Sequence, residues 1–152
     1  MKNSFLLIFF LCITPLLSEP ITGKVISIAD GDTITILDSS KTQHKIRLEH
    51  IDTPEKKQAF GAKAKQYLSS MIFGKNVKVE IKEKDRYGRY IGTVFLEKKN
   101  INLEMIKAGL AWHYKKYSKD KTFAAAEALA RKKKAGLWNE KKPIPPWEFR
   151  RK

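Results

Sequence analysis

Between Thr22 and Leu48 the chain runs through short segments in which apolar and polar residues alternate, separated by turn-forming residues. Val25 and Ile28, then Ile34 and Ile36, then Ile46 and Leu48 mark the apolar positions, and Lys45 and Arg47 alternate with the last pair. A period of two sends successive side chains to opposite faces, which a half-buried strand satisfies and a helix does not. Thr22–Ile28, Thr33–Leu37 and Gln43–Leu48 therefore read as strands, with Asp30-Gly31 turning the chain between the first two. Together they predict an antiparallel meander.

The stretch Asp52-Thr53-Pro54-Glu55 breaks that pattern. Pro54 fixes its own φ and keeps Thr53 extended, so this loop is stiff. Phe60, Ala64, Tyr67, Leu68 and Met71 then recur at helical spacing, and Gly74 stands at a C-terminal cap position. Strand signals return at Val77–Ile81 and Tyr90–Leu96, joined by Asp85-Arg86-Tyr87-Gly88-Arg89. Helices are predicted over Asn100–Lys107, capped by Gly109, and over Thr122–Lys134, between Asp120 and Gly136. The tail Pro143-Ile144-Pro145-Pro146-Trp147 is expected to be non-helical, with Trp147 packing back on the body. Three strands, a helix, two strands and then helices is an α+β, mainly β order. It fits a five-stranded OB-fold barrel with about three helices.

The N-terminus reads as a separate element. Lys2, an apolar run from Phe5 to Leu17 and the small Ser18 predict an export signal over residues 1–18 and a single domain over 19–152. The expected location is secreted or periplasmic. The run is too short for a spanning helix, so no stable membrane insertion is expected after cleavage. The only cysteine, Cys12, falls inside this run. The domain therefore has no disulfide, thiolate metal site or cysteine nucleophile.

Charge narrows the partners. The chain holds 31 Lys+Arg against 16 Asp+Glu, a formal net charge of +15, which favours a polyanion over acidic small proteins or neutral ligands. Aromatic residues make up 11% and offer faces on which bases can stack. The same figures suit a non-catalytic nucleic-acid-binding barrel.

Chemistry concentrates in four short stretches, each with a plainer reading. Asp30-Gly31-Asp32-Thr33 is also ordinary turn chemistry. Arg47 by itself is a cation on an exposed strand face. Asp52 and Glu55 flank a stiff turn that can hold two carboxylates at fixed separation. Asp85–Arg89 could be a charged hairpin loop. His44, His50 and His113 are too dispersed for a catalytic histidine or zinc triad. Arg131-Lys132-Lys133-Lys134 suits the C-terminal end of a helix dipole, and Trp138 and Trp147 read as packing residues.

Taken together, these stretches resemble the staphylococcal nuclease (thermonuclease) family. The matching pieces are Asp30-Gly31-Asp32-Thr33, Arg47-Leu48, Ile51-Asp52-Thr53-Pro54-Glu55, Asp85-Arg86-Tyr87-Gly88-Arg89, Ile101-Asn102 with Gly109-Leu110-Ala111, and Gly136-Leu137-Trp138. The ending Pro145-Pro146-Trp147-Glu148-Phe149-Arg150 is similar to the tail of exported bacterial members. The resemblance spans the chain from about Ile21 onward. It departs from the family at Lys63, where Glu is common, and in a shorter loop between Glu55 and Phe60.

The resemblance implies a Ca²⁺-dependent endonuclease acting on DNA and RNA and leaving 3′-phosphate ends. It implies Asp32, Asp52 and the Thr53 carbonyl as calcium ligands, Glu55 at the attacking water, and Arg47 and Arg89 on the scissile phosphate. Tyr87 would bond a substrate phosphate. Tyr114, with Tyr117 second, would stack on a base. The expected protein is a monomer. Its rivals are a catalytically inactive OB-fold nucleic-acid-binding module and a membrane-active cationic protein; the weakly amphipathic Thr122–Lys134 segment fits the latter poorly.

Overall fold

The computed structural model describes residues 18–151, and the apolar run of the predicted export signal, with Cys12, lies outside them. Strands β1 (Ile21–Ile28), β2 (Thr33–Leu37) and β3 (Gln43–Leu48) form the expected antiparallel meander. Ile36 faces Val25 across one ladder, and Ile34 faces Ile46 across the next. The two-residue β4 (Ile51–Asp52) precedes α1 (Gly61–Ile72), β5 (Asn76–Lys84) and β6 (Tyr90–Leu96).

The barrel closes through two further seams. β5 pairs with β1, setting Val79 opposite Ile21, and also runs antiparallel to β6. β6 then runs parallel to β3, with Ile46 opposite Tyr90 and Leu48 opposite Gly92. Closure leaves the five main strands without a free edge among themselves. Gly92 is needed at this seam, because a Cβ there would lie 2.4 Å from the Glu80 carbonyl oxygen.

Inward residues follow the alternation. Val25, Ile34, Ile36, Ile46, Leu48, Val77, Val79 and Val94 are buried, together with Ala64, Leu68 and Ile72 from α1. Each fully buried Val, Leu or Ile among them contributes about 1.5–3 kcal/mol relative to exposure. The short β7 (Lys99–Asn100) leads into α2 (Ile101–Lys107), whose Ile101, Met105 and Ile106 complete the core. Asn100 caps α2 by accepting the Leu103 N–H, and buried Asn102 bonds Val94, Gly92 and Glu49 backbone groups at the closing seam.

The remaining elements build one side of the barrel mouth. β8 (Trp112–His113) pairs with β4, setting Asp52 opposite Trp112. Helix α3 (Lys121–Lys132) is capped by Asp120, which accepts from Thr122 and Phe123, and it ends two residues before the predicted Lys134. Glu127 is buried on α3 and accepts the main-chain N–H of His113, tying the helix to β8 and hence to the Asp52 strand.

The tail corrects one expectation. Pro146–Phe149 forms a short helix, α4, after a 3-10 turn at Gly136–Asn139. Proline at the first helical position gives up a donor that has no intrahelical partner anyway, and its φ is already helical. Pro146 starts this turn instead of preventing it. Trp147 does pack back, edge-on against Trp112. Among the described residues no helix is long and apolar enough to cross a membrane.

Candidate active site

The site is assembled where the β1–β2 turn meets the loop after β4. Asp30 accepts the Asp32 N–H at 3.0 Å and so shapes the turn. Asp32 Oδ2 then accepts both the N–H and the hydroxyl of Thr53, at 2.9 and 2.8 Å. Pro54 holds Thr53 extended, which presents both donors to one oxygen. Gly31 allows the approach, since a Cβ would lie 2.7 Å from Ala64 Cβ and 2.9 Å from Thr53 Oγ1.

Arg47 joins the two acidic segments. Its Nη1 donates to the Leu48 and Ile51 carbonyls at 2.7 and 3.0 Å. Its Nη2 lies 3.2 Å from Asp32 Oδ2 and 3.2 Å from Asp52 Oδ1. The reading of Arg47 as an exposed-face cation fails, because only 15% of the side chain is exposed and main-chain acceptors hold it. Asp32 and Asp52 are themselves buried.

Burial and charge set the ionisation of these acids. Burial alone would raise Asp32, but the Arg47 guanidinium and the Thr53 donors outweigh it and hold its carboxyl below the usual range. Asp30 is pushed up to about 6 by burial and by the neighbouring Asp32 charge. Asp52 is also raised, first by burial and then by Asp32, against the pull of Arg150 and Arg47.

Arg150 is the residue that sequence reasoning missed. Its Nη1 donates to Glu55 Oε1 at 2.6 Å and to Asp52 Oδ1 at 3.2 Å, and its Nη2 donates to Asp52 Oδ2 at 2.8 Å. These carboxylates hold the Arg150 guanidinium even more firmly protonated than usual. The ending that contains Arg150 was legible as a family-like tail, but nothing in it signals contact with a residue 98 positions away. Asp30 was part of a recognised motif without an assigned role.

The other predicted residues line the same cleft, of about 780 Å³, from different elements. Arg89 and Tyr87 come from the β5–β6 connection. Asp85 accepts the Arg89 Nε–H at 2.7 Å and its main-chain N–H at 2.9 Å. Tyr87 is 68% exposed, and its hydroxyl accepts from Arg86. Tyr114 lies at the cleft edge with its ring stacked on Trp147, centroids 5.4 Å apart and planes 4° from parallel. Tyr117 meets Tyr114 edge-on and is exposed. The cleft thus gathers Asp32, Arg47, Asp52, Thr53, Glu55, Tyr87, Arg89 and Tyr114.

The donor set fits a hard divalent cation. Asp32 Oδ2 and Asp52 Oδ1 converge on one Arg47 nitrogen, and burial has removed water that would otherwise solvate them. Two carboxylates, with the Thr53 main chain adjoining, would supply oxygen ligands to such a cation and would leave positions for water and phosphate. Among the described residues no cluster of three Asp, Glu, His or Cys side chains forms a fuller metal cage. The histidines take other partners: His44 pairs with Asp38, and both His50 and His113 bond Ser118.

Residues 45–140 match the family model described as staphylococcal nuclease homologue. An uncharacterized endonuclease of Haemophilus influenzae is 45% identical over 146 residues, covering 96% of this chain and 82% of that protein. An uncharacterized endonuclease of Escherichia coli O157:H7 is 40% identical over 151 residues, 99% of this chain and 98% of the relative. A micrococcal nuclease of Shigella flexneri is 40% identical over 140 residues, 85% of this chain and 80% of the relative. With a closed barrel and a cleft of paired carboxylates and arginines behind that likeness, the chain belongs to the staphylococcal nuclease family of nuclease hydrolases.

Proposed function

We propose that the protein is a calcium-dependent endonuclease that hydrolyses phosphodiester bonds of DNA and RNA with little sequence preference. The observation that carries this reading is the single Arg47 nitrogen facing both Asp32 and Asp52 at 3.2 Å. It supports the reading because the two acids proposed as metal ligands and the arginine proposed for phosphate share one buried knot. Sequence preference is weak because phosphate contacts carry affinity without reading bases.

Asp32, Asp52 and the Thr53 carbonyl would hold a calcium ion, which would supply Lewis-acid polarisation of a phosphoryl oxygen and offset developing negative charge. Arg47 and Arg89 grip the phosphate with planar, permanently charged forks. The Leu48 and Ile51 carbonyls anchor Arg47 through Nη1, and gripping a phosphate requires Nη2 to turn from the carboxylates it faces. Glu55 accepts a proton from the attacking water. The water oxygen bonds to phosphorus as the bond to the 5′ oxygen breaks. The 5′ oxygen leaves as an alkoxide that takes a proton from solvent water to become the 5′-hydroxyl, and the other product carries a 3′-phosphate. Tyr87 bonds a substrate phosphate, and Tyr114 supports a base.

The protein works in the secreted or periplasmic space, a reading that rests on the sequence of residues 1–18. The test of the chemistry is cleavage of single-stranded DNA and RNA carrying a 5′ fluorophore, followed by phosphatase treatment. Products that shift in mobility on phosphatase treatment carry the expected 3′-phosphate. Products with a free 3′-hydroxyl contradict the assigned bond.

A further inference from the structure

The C-terminal tail reaches the cleft and is held there at three points. Gln58 Nε2 donates to the Ile144 carbonyl at 2.6 Å. Trp147 stacks on Tyr114 and meets Trp112 edge-on. Arg150 then places its fork on Asp52 and Glu55, donating at 2.8 Å to one Asp52 oxygen, 3.2 Å to the other and 2.6 Å to Glu55. Both oxygens of a proposed calcium ligand and one oxygen of the proposed water-activating residue are engaged by one guanidinium.

We propose that Arg150 is a tethered cation that competes with the divalent ion for Asp52, so that metal binding evicts it and frees Glu55 for water. The proposal rests on the calcium reading of this site. Two cations at bonding distance from the same carboxylate repel each other strongly in a partly desolvated cleft. One of the nearby guanidiniums must therefore yield. Arg47 is poorly placed to do so, because the Leu48 and Ile51 carbonyls hold it and its side chain is 15% exposed. Arg150 has only these carboxylates as side-chain partners among the described residues, and its side chain is 41% exposed. It can swing into water and remain solvated. Arg150 thereby sets the calcium concentration at which the site fills.

The test is calcium titration by calorimetry on purified protein without nucleic acid, comparing wild type with Arg150→Ala, Arg150→Gln and Arg151→Ala. Arg150→Ala and Arg150→Gln are expected to bind calcium roughly two- to fivefold more tightly, the scale of an exposed, exchangeable ion pair. Arg151→Ala, which lies outside this ion-pair set, is expected to match wild type. Thermal melts of each variant confirm folding, and the Gln variant serves if the Ala variant is unstable. Unchanged or weakened calcium binding in the folded Arg150 variants overturns the competition while leaving the calcium reading intact. Absence of calcium binding to both wild type and variants overturns the calcium reading and the competition with it.

Discussion

Thr53 donates two hydrogen bonds to a single oxygen of Asp32, one from its main-chain N–H and one from its hydroxyl, at 2.9 and 2.8 Å. This pairing spans 21 residues and pins the β1–β2 turn to the loop that follows Asp52. Hydrogen bonds to a buried charge are worth about 1.5–3 kcal/mol each, more than those between neutral groups. Thr53→Val keeps the shape and the N–H bond but deletes the hydroxyl donor. Urea unfolding is expected to show a loss of about 1–2 kcal/mol, with cleavage reduced several-fold because Asp32 loses one restraint. Unchanged stability would show that the hydroxyl does not hold Asp32.

Arg47 makes four contacts that depend on a planar fork: two carbonyls on one nitrogen and two carboxylates on the other. Arg47→Lys preserves charge but supplies one ammonium in place of that fork. Turnover is expected to fall by orders of magnitude, and the same holds for Arg89→Lys, with circular dichroism unchanged. If both variants stayed within about threefold of wild type, under 1 kcal/mol of transition-state stabilisation, the phosphate clamp would be wrong.

Glu55→Gln keeps length and packing while removing proton-accepting power. Cleavage is expected to drop on the order of a hundredfold or more, the usual scale for a general base. Single-stranded DNA binding should persist, since phosphate contacts come from Arg and Lys. Parallel loss of binding and cleavage would make Glu55 a structural partner of Arg150 and not a participant at the water.

His113 gives the fold a pH dependence away from the cleft. Burial lowers its pKa below 6.5, offset in part by Glu127. The unfolded chain therefore takes up this proton first as pH falls. The stability contributed by neutral His113 is complete above pH 6.5 and is lost as pH drops through the unfolded and then the folded value. Chemical denaturation at stepped pH should show this decline beginning near pH 6.5 and flattening in His113→Gln. An identical slope in the variant would assign the decline to other groups.

The parts of the fold that were legible in the sequence are those governed by local periodicity. Thr33–Leu37, Gln43–Leu48 and Tyr90–Leu96 occur as strands with the bounds that alternation implied. Asn100 and Asp120 cap helices because short polar side chains compete for free N–H groups wherever a helix begins. The parallel β3–β6 seam is different, since its register depends on closing the barrel and not on either strand alone. The proline-rich tail from Pro143 to Trp147 reads as non-helical, although proline also starts helices, as Pro146 does. At the site, the motif residues gather in one cleft. The burial of Arg47 against main-chain carbonyls and the arrival of Arg150 are tertiary facts with no local signature.

The most direct measurement is digestion of plasmid and single-stranded DNA by purified protein, first with calcium and then with excess calcium chelator. The proposed site of Asp32, Asp52 and one carbonyl would bind calcium weakly and give it up readily. Cleavage with calcium, abolished by chelator and restored by added calcium, is the expected result. Full cleavage in chelator, or none in calcium at any concentration, would contradict the calcium-dependent nuclease.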